Sequence, residues 1–163
     1  MYAPEGSPTT PPTTPPATTP PPAPPADSNL AQGRPAADTS HTQGYVAGNV
    51  TDGNAGSYWE SNNNNAFPQS LTVDLGAQRT VGRLVLKLPS SWGTRTQTLS
   101  VLGSADNTAW TTLKNSASYT FTEGTNTVAI TLPSTGVRYL RLTFTANNGW
   151  PAGQLSELEA YTS

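Results

Sequence analysis

From Asn29 to the end of the chain, apolar residues fall in short runs that alternate with polar ones, and clusters of Gly, Asn, Pro and Ser separate the runs. A period of two is the pattern of half-buried β-strands. It predicts strands over 71–75, 83–88, 96–103, 110–114, 127–132, 137–145 and 154–161, with a short one near 36–40. Alternation picks out Leu84, Leu86 and Leu88, then Leu99 and Val101, then Val128, Ile130 and Leu132, and finally Leu140, Leu142 and Phe144 as core positions. No stretch keeps a helical period with caps at both ends, so helix content should be small. Seven or eight short strands at this spacing predict an all-β antiparallel sandwich. Its loops gather at the two ends, and function on such a scaffold sits in the loops.

The first 28 residues break this pattern. Of the 16 prolines in 163 residues, 11 fall before Ala26, in a Thr/Pro tract whose only charged residue is Glu5 and whose only aromatic is Tyr2. Such a tract buries no core and favours the extended polyproline II form, a semi-rigid spacer at about 3.1 Å per residue, or about 85 Å for residues 1–28. It is read here as a linker. A Met directly before a linker suggests a piece cut from a longer protein, with a catalytic domain elsewhere in that chain.

Charge and cysteine narrow the partners of the remaining 135 residues. The chain has 10 acidic and 8 basic residues, and residues 1–28 take Glu5 and Asp27 with them, so the folded part carries 8 of each. A neutral domain lacks the clustered Lys and Arg that neutralise phosphates, which argues against nucleic acid and anionic lipid. With no cysteine there are no disulfides, thiolate metal sites or cysteine nucleophiles. No run of 18 apolar residues occurs. What is abundant is Asn, Thr, Ser and Gly around a few large aromatics, a surface suited to an uncharged, hydroxyl-rich partner.

Four loops concentrate these residues. SHTQGYVAGN holds His41, Gln43 and Tyr45. SYWESNNNNAF holds Trp59, Glu60 and four asparagines, Asn62 to Asn65. LPSSWGTRTQ holds Trp92 and Arg95, and TANNGWPAGQ holds Trp150. Trp92 and Trp150 stand among Gly, Pro and Ser, without the alternating neighbours of a core position. Large exposed apolar surface marks contact sites, and a flat indole suits the C–H face of a pyranose while Asn, Gln and Arg meet hydroxyls; the same rings could instead seal the sandwich ends. Trp110 begins a strand and reads as structural. Trp59 leans to the core, since Tyr58 and Trp59 must face opposite ways in an extended segment. Arg95 either forks hydrogen bonds to a ligand or anchors its loop to a carboxylate such as Glu60. His41, the lone histidine, reads as a solvated side chain.

The segment from Asn49 to Ser57, NVTDGNAGS, carries oxygen donors around two glycines, a turn that can converge on a hard cation or be an ordinary Asp-Gly turn. It also contains the sequon Asn49-Val50-Thr51.

In chain order, NLAQGRPAADTS, NVTDGNAGSYWES, FPQSLTVDLGAQRTVGRLVLKL, LSVLGSADNTAWTTL, VRYLRLTFTANNG and LSELEAY resemble the discoidin or coagulation-factor C-type domains, and within them the bacterial family 32 carbohydrate-binding modules. The resemblance covers essentially all of residues 28–162, and two of its stretches look like modules attached to secreted bacterial α-1,3-glucanases and other glucanases. It implies an eight-stranded jelly roll with the galactose-binding-domain-like fold, a structural Ca²⁺, and a shallow sugar site on the loops of one end. Ca²⁺ ligands carry over onto Asp52, Asn54, Ser57 and Glu157, with the Ser156 carbonyl nearby and Ser57 standing where the family usually has Thr. Sugar positions vary in the family, so only loop location transfers, to Tyr45, Glu60, Trp92, Arg95 and Trp150. The animal members use a disulfide and apolar or basic spikes for lipid, which this chain lacks.

The expectation is therefore a monomeric, extracellular, non-catalytic module holding a polysaccharide hydrolase on a glucan such as α-1,3-glucan. The alternative is adhesion to a protein or membrane surface through the same loops. An enzyme is disfavoured, because a glycosidase needs two carboxylates about 5 to 9.5 Å apart across a cleft. Of the acidic residues outside strands and linker, Asp38, Asp52, Glu60, Asp106 and Glu123, one is claimed by the cation and two sit in turns.

Overall fold

The computed structural model describes residues 28–163. The linker expected over 1–28 lies outside the described residues except for Ser28. Eight strands follow: β1 (Ala36–Asp38), β2 (Trp59–Glu60), β3 (Gln69–Lys87), β4 (Arg95–Ser104), β5 (Thr111–Phe121), β6 (Thr127–Asn147), β7 (Gln154–Leu155) and β8 (Glu157–Tyr161). The only helical element among the described residues is a 3₁₀ turn, Ala47–Val50.

Two long strands organise the rest. β3 and β6 pair antiparallel over two main stretches, 69–74 against 139–144 and 83–87 against 127–131, with a short middle one, 79–81 against 135–137, between them. Beside the first stretch β1 adds to β3, while β4 and then β5 add to β6, giving the order β1-β3-β6-β4-β5. Beside the second, β8 adds to β3 through 83–87 against 157–161. The layers thus have five and three strands, and β3 and β6 belong to both. This is the antiparallel sandwich predicted from the period-two pattern.

Four strand boundaries differ from the sequence reading, each for a local reason. The stretches 71–75 and 83–88 belong to one strand, because the chain stays extended while its ladder is interrupted between Asp74 and Arg79 and between Val81 and Arg83. Gly76 at φ 84 permits that break. The stretches 127–132 and 137–145 likewise join around Pro133, which has no N–H to give the ladder. β5 runs on to Phe121 where only 110–114 was expected, because an edge strand that buries Leu113 and Phe121 and little else shows a faint alternation. The expected strand 154–161 divides at Ser156, whose N–H donates to Lys87 O at 2.8 Å, so β7 pairs with β2 and β8 with β3.

The core matches the alternation closely. Leu71, Val73, Leu84, Leu86, Leu99, Val101, Leu140, Leu142 and Phe144 are fully buried, and Ile130 and Leu132 nearly so. Val128 is only partly covered. It sits on β6 where that strand is the outer edge of the three-stranded layer, so neighbours close over it from one side.

Leu142 lies between Leu71 and Val101 in the register. Leu142→Ala should cost about 2–5 kcal/mol in urea denaturation, whereas Thr112→Ala, exposed on β5, should stay within about 0.5 kcal/mol. Comparable losses for the two would contradict this layering.

Candidate functional site

The short pair β2–β7 carries the site. Trp59 faces Leu155 and Glu60 faces Gln154 across it. Trp59 is fully buried, its indole N–H donates to Ser40 O at 3.1 Å, and its ring centroid lies 5.5 Å from that of Phe144. Since side chains alternate along an extended segment, burying Trp59 turns Tyr58 and Glu60 the other way. Asn49 Nδ2 donates to Tyr58 O at 2.9 Å and fixes that turn, which occupies the amide of the sequon.

Tyr58, Glu60, Trp92, Gly93, Arg95, Trp150 and Gln154 line an open cleft of about 310 Å³. Gln154 is its hub. Its Nε2 donates to Glu60 Oε1 at 2.7 Å, and its Oε1 accepts from Arg95 Nη1 at 2.7 Å and from Asn147 Nδ2 at 3.1 Å. The backbone of Gln154 is clamped in turn by buried Gln97, which accepts from its N–H at 3.0 Å and donates to its carbonyl at 2.9 Å. Arg95 therefore reaches Glu60 through Gln154 rather than directly. Its Nε donates to Gly93 O at 3.2 Å, and its guanidinium sits 4.7 Å over the Trp92 ring in a cation–π contact. Burial draws the Arg95 pKa down and Glu60 opposes that shift. A Cβ on Gly149 would come within 2.7 Å of Arg95 Cβ, so only glycine lets the 148–153 loop close over this side chain.

The aromatic rings continue the arrangement. Tyr58 meets Trp92 edge-on with centroids 4.5 Å apart at 73°, and Tyr45 stacks on Tyr58 at 4.5 Å and 14°. Burial, with the Tyr45 phenol beside it, raises the Tyr58 pKa. The Trp92 loop is pinned by Asn126 Nδ2, within hydrogen-bonding distance of the Pro89, Ser90 and Trp92 carbonyls. Trp92 is half-buried against the core, and Trp150 is 46 % exposed.

Of the residues singled out from the sequence, Glu60, Trp92, Arg95 and Trp150 come together in one cleft, and Tyr45 stands one ring behind it. Trp110 is half-buried under Arg141, whose guanidinium lies 3.9 Å from its ring centroid, and His41 pairs with Asp38 at 3.0 Å; neither lines the cleft. Tyr58 and Gln154 were missed. The opposition of Tyr58 to Trp59 was a signal for the first. Nothing local marks Gln154, whose Glu60 partner is 94 residues away.

A second cluster joins the 52–57 loop to β8. Asp52 Oδ1 accepts from Asn54 N–H at 2.9 Å, Asn54 Oδ1 from Gly56 N–H at 2.9 Å, and Ser57 Oγ donates to Asp52 Oδ2. Gly53 holds φ 76 within this turn. Buried Glu157 has an Oε1 with no hydrogen-bond partner, and its pKa is pushed up to about 8 by burial first and by Asp52 next. No three His, Cys, Asp or Glu side chains gather as a metal site among the described residues. Two carboxylates with amide, hydroxyl and carbonyl oxygens form a hard-oxygen set of the Ca²⁺ kind. The orphaned oxygen of Glu157 fits a cation there.

Comparison with known proteins bears on the fold. The sequence model of the F5/8 type C domain matches residues 35–158. Among solved structures, chitosan-binding module 1 of a Paenibacillus chitosanase/glucanase is 28% identical with TM-score 0.66, over 82% of this chain and 98% of that one. Module 2 of the same enzyme, in complex with chitotriose, is 28% identical with TM-score 0.65, over 82% and 99%. A family 32 carbohydrate-binding module from Clostridium perfringens, in complex with galactose, shares the fold at 24% identity and TM-score 0.69, over 82% and 98%. No curated protein matches the chain.

Gln154→Leu would leave the buried Glu60 carboxylate without its donor. It should cost about 2 kcal/mol or more in chemical denaturation. Trp150→Ala should cost under about 1 kcal/mol, since that ring is half in solvent; a neutral Gln154→Leu would contradict the hub.

Proposed function

Because this chain belongs to the F5/8 type C domain family, we propose that it is a non-catalytic carbohydrate-binding module that holds a secreted polysaccharide hydrolase on a neutral glucan, α-1,3-glucan foremost. The observation that carries this reading is the cleft between an exposed Trp150 and a half-buried Trp92, floored by Glu60, Gln154 and Arg95. Glucopyranose offers two flat C–H faces to indole rings and a rim of hydroxyls to the polar floor. Because Gln154 already orders Glu60 and Arg95, little reorganisation accompanies binding. The similarity to modules that bind chitotriose and galactose supports a sugar as ligand. Glu60 is the one carboxylate lining the cleft, and a glycosidase needs two. The Thr/Pro tract would tether the module to its catalytic domain, outside the cell.

Ca²⁺ would be held by Asp52, Asn54, Ser57 and Glu157, with the Ser156 carbonyl. When bound it neutralises the facing carboxylates and ties the 52–57 loop to β8. None of these residues lines the cleft, which supports a structural role.

Affinity electrophoresis and pull-down on insoluble α- and β-glucans, chitosan and galactan should show retention, with a single-site Kd between about 1 mM and 1 μM. Trp92→Ala and Trp150→Ala should each weaken it about tenfold or more. Retention by none of these polymers sinks the reading, and liposome retention in its place would favour adhesion. For the cation, added Ca²⁺ should raise Tm by mass action, and Glu157→Gln should abolish that rise. An unchanged Tm with no Ca²⁺ uptake in equilibrium dialysis would remove the metal.

A further inference from the structure

Residues 61–65 run alongside the Trp150 loop. Ser61 N–H donates to Gly153 O at 2.9 Å, Gly153 N–H to Ser61 Oγ at 2.8 Å, and Asn65 N–H to Pro151 O at 2.8 Å. The backbone of four consecutive asparagines is thereby fixed next to the most exposed tryptophan, with Asn65 at φ 58 completing the turn. Their side chains are exposed and make no hydrogen bond to the described residues.

Asparagines elsewhere around the cleft behave differently. Asn49 binds Tyr58 O, Asn126 the Trp92 loop, Asn147 Ala152 O and Gln154, and Asn148 Thr96 N–H. Each of those amides is engaged in building a loop. The amides of Asn62 to Asn65 are not, and each offers two donors and an acceptor without charge, the complement of a sugar hydroxyl.

Size supplies the second half of the argument. At about 30 Å³ per water, the 310 Å³ cleft holds about ten water volumes, room for at most about two hexose rings. Further rings of a chain lie outside it, and this loop, bonded to Pro151 and Gly153, stands beside the Trp150 wall.

We propose that the Asn62–Asn65 loop is an extension of the cleft that binds the rings next to the one between the tryptophans, so that the site takes the interior of a neutral polysaccharide. This rests on the carbohydrate reading above and adds chain length to it.

The test is calorimetric titration with oligosaccharides of one to six rings, in α-1,3-linked glucose, β-1,3-linked glucose and β-1,4-linked glucosamine. The protein is compared with Asn62→Ala/Asn63→Ala/Asn64→Ala, which keeps Asn65 and its left-handed backbone. Affinity should rise through about three rings of a glucose series. The triple variant, with unchanged Tm, should lose about tenfold on the longer chains and less than about twofold on the single ring. Trp150→Ala should weaken both. Equal affinity for one ring and six, or a triple variant that loses nothing or loses equally at every length, overturns the extension while leaving the carbohydrate reading intact. Preference for the glucosamine series, or affinity that falls steeply with salt, overturns the neutral-chain assignment. Binding of none of the sugars overturns both readings.

Discussion

The antiparallel pairing of β3 with β6 is the constraint on which everything else is built. Each strand is about twenty residues long, and they pair in the five-stranded layer, again in the three-stranded one, and over 79–81 against 135–137 between the two. A chain that must cross from one layer to the other needs extended residues that give up their ladder bonds, and it finds them around Gly76 and Pro133. With those bends in place, Leu71, Val73, Leu140 and Leu142 from one stretch and Leu84, Leu86 and Ile130 from the other close on a common core. The loops at the ends follow from where these strands stop.

The cleft is held by a different kind of bonding. Its floor is a chain of polar groups, from Gln97 through Gln154 to Glu60 and Arg95, in which Gln154 uses both ends of its amide and both backbone groups. A buried polar network of this sort is costly when incomplete and rigid when complete. Its completeness makes the surface above it firm, and Arg95 carries that firmness on to Trp92 through the cation–π contact. The cluster of Asp52 and Glu157 does the reverse, leaving Glu157 Oε1 without a partner. One cluster is satisfied by protein alone, and the other is not.

Much of this could be read before folding. Strand positions, nearly all core residues, the neutral surface and the tryptophans at loop tips follow from local pattern, because alternation and turn chemistry are properties of a few consecutive residues. The misreadings fall where local pattern is silent. β5 buries too little to alternate strongly, and Val128 alternates correctly yet sits on an edge. Ser156 divides an alternating run by one backbone bond to Lys87. Tyr58 was placed outward by its neighbour Trp59, but only the fold put it edge-on to Trp92.

The sequence by itself determined that residues 29–163 form an antiparallel sandwich with aromatic, uncharged loops, since hydrophobic periodicity fixes which side of each strand faces the core. Tertiary structure decided which loops meet. Gln154 reaches Glu60 across 94 residues and Arg95 across 59, and the four free asparagines lie beside Trp150 through bonds to Pro151 and Gly153. Those contacts arise from strand order and register, and register is settled only when both partners are present.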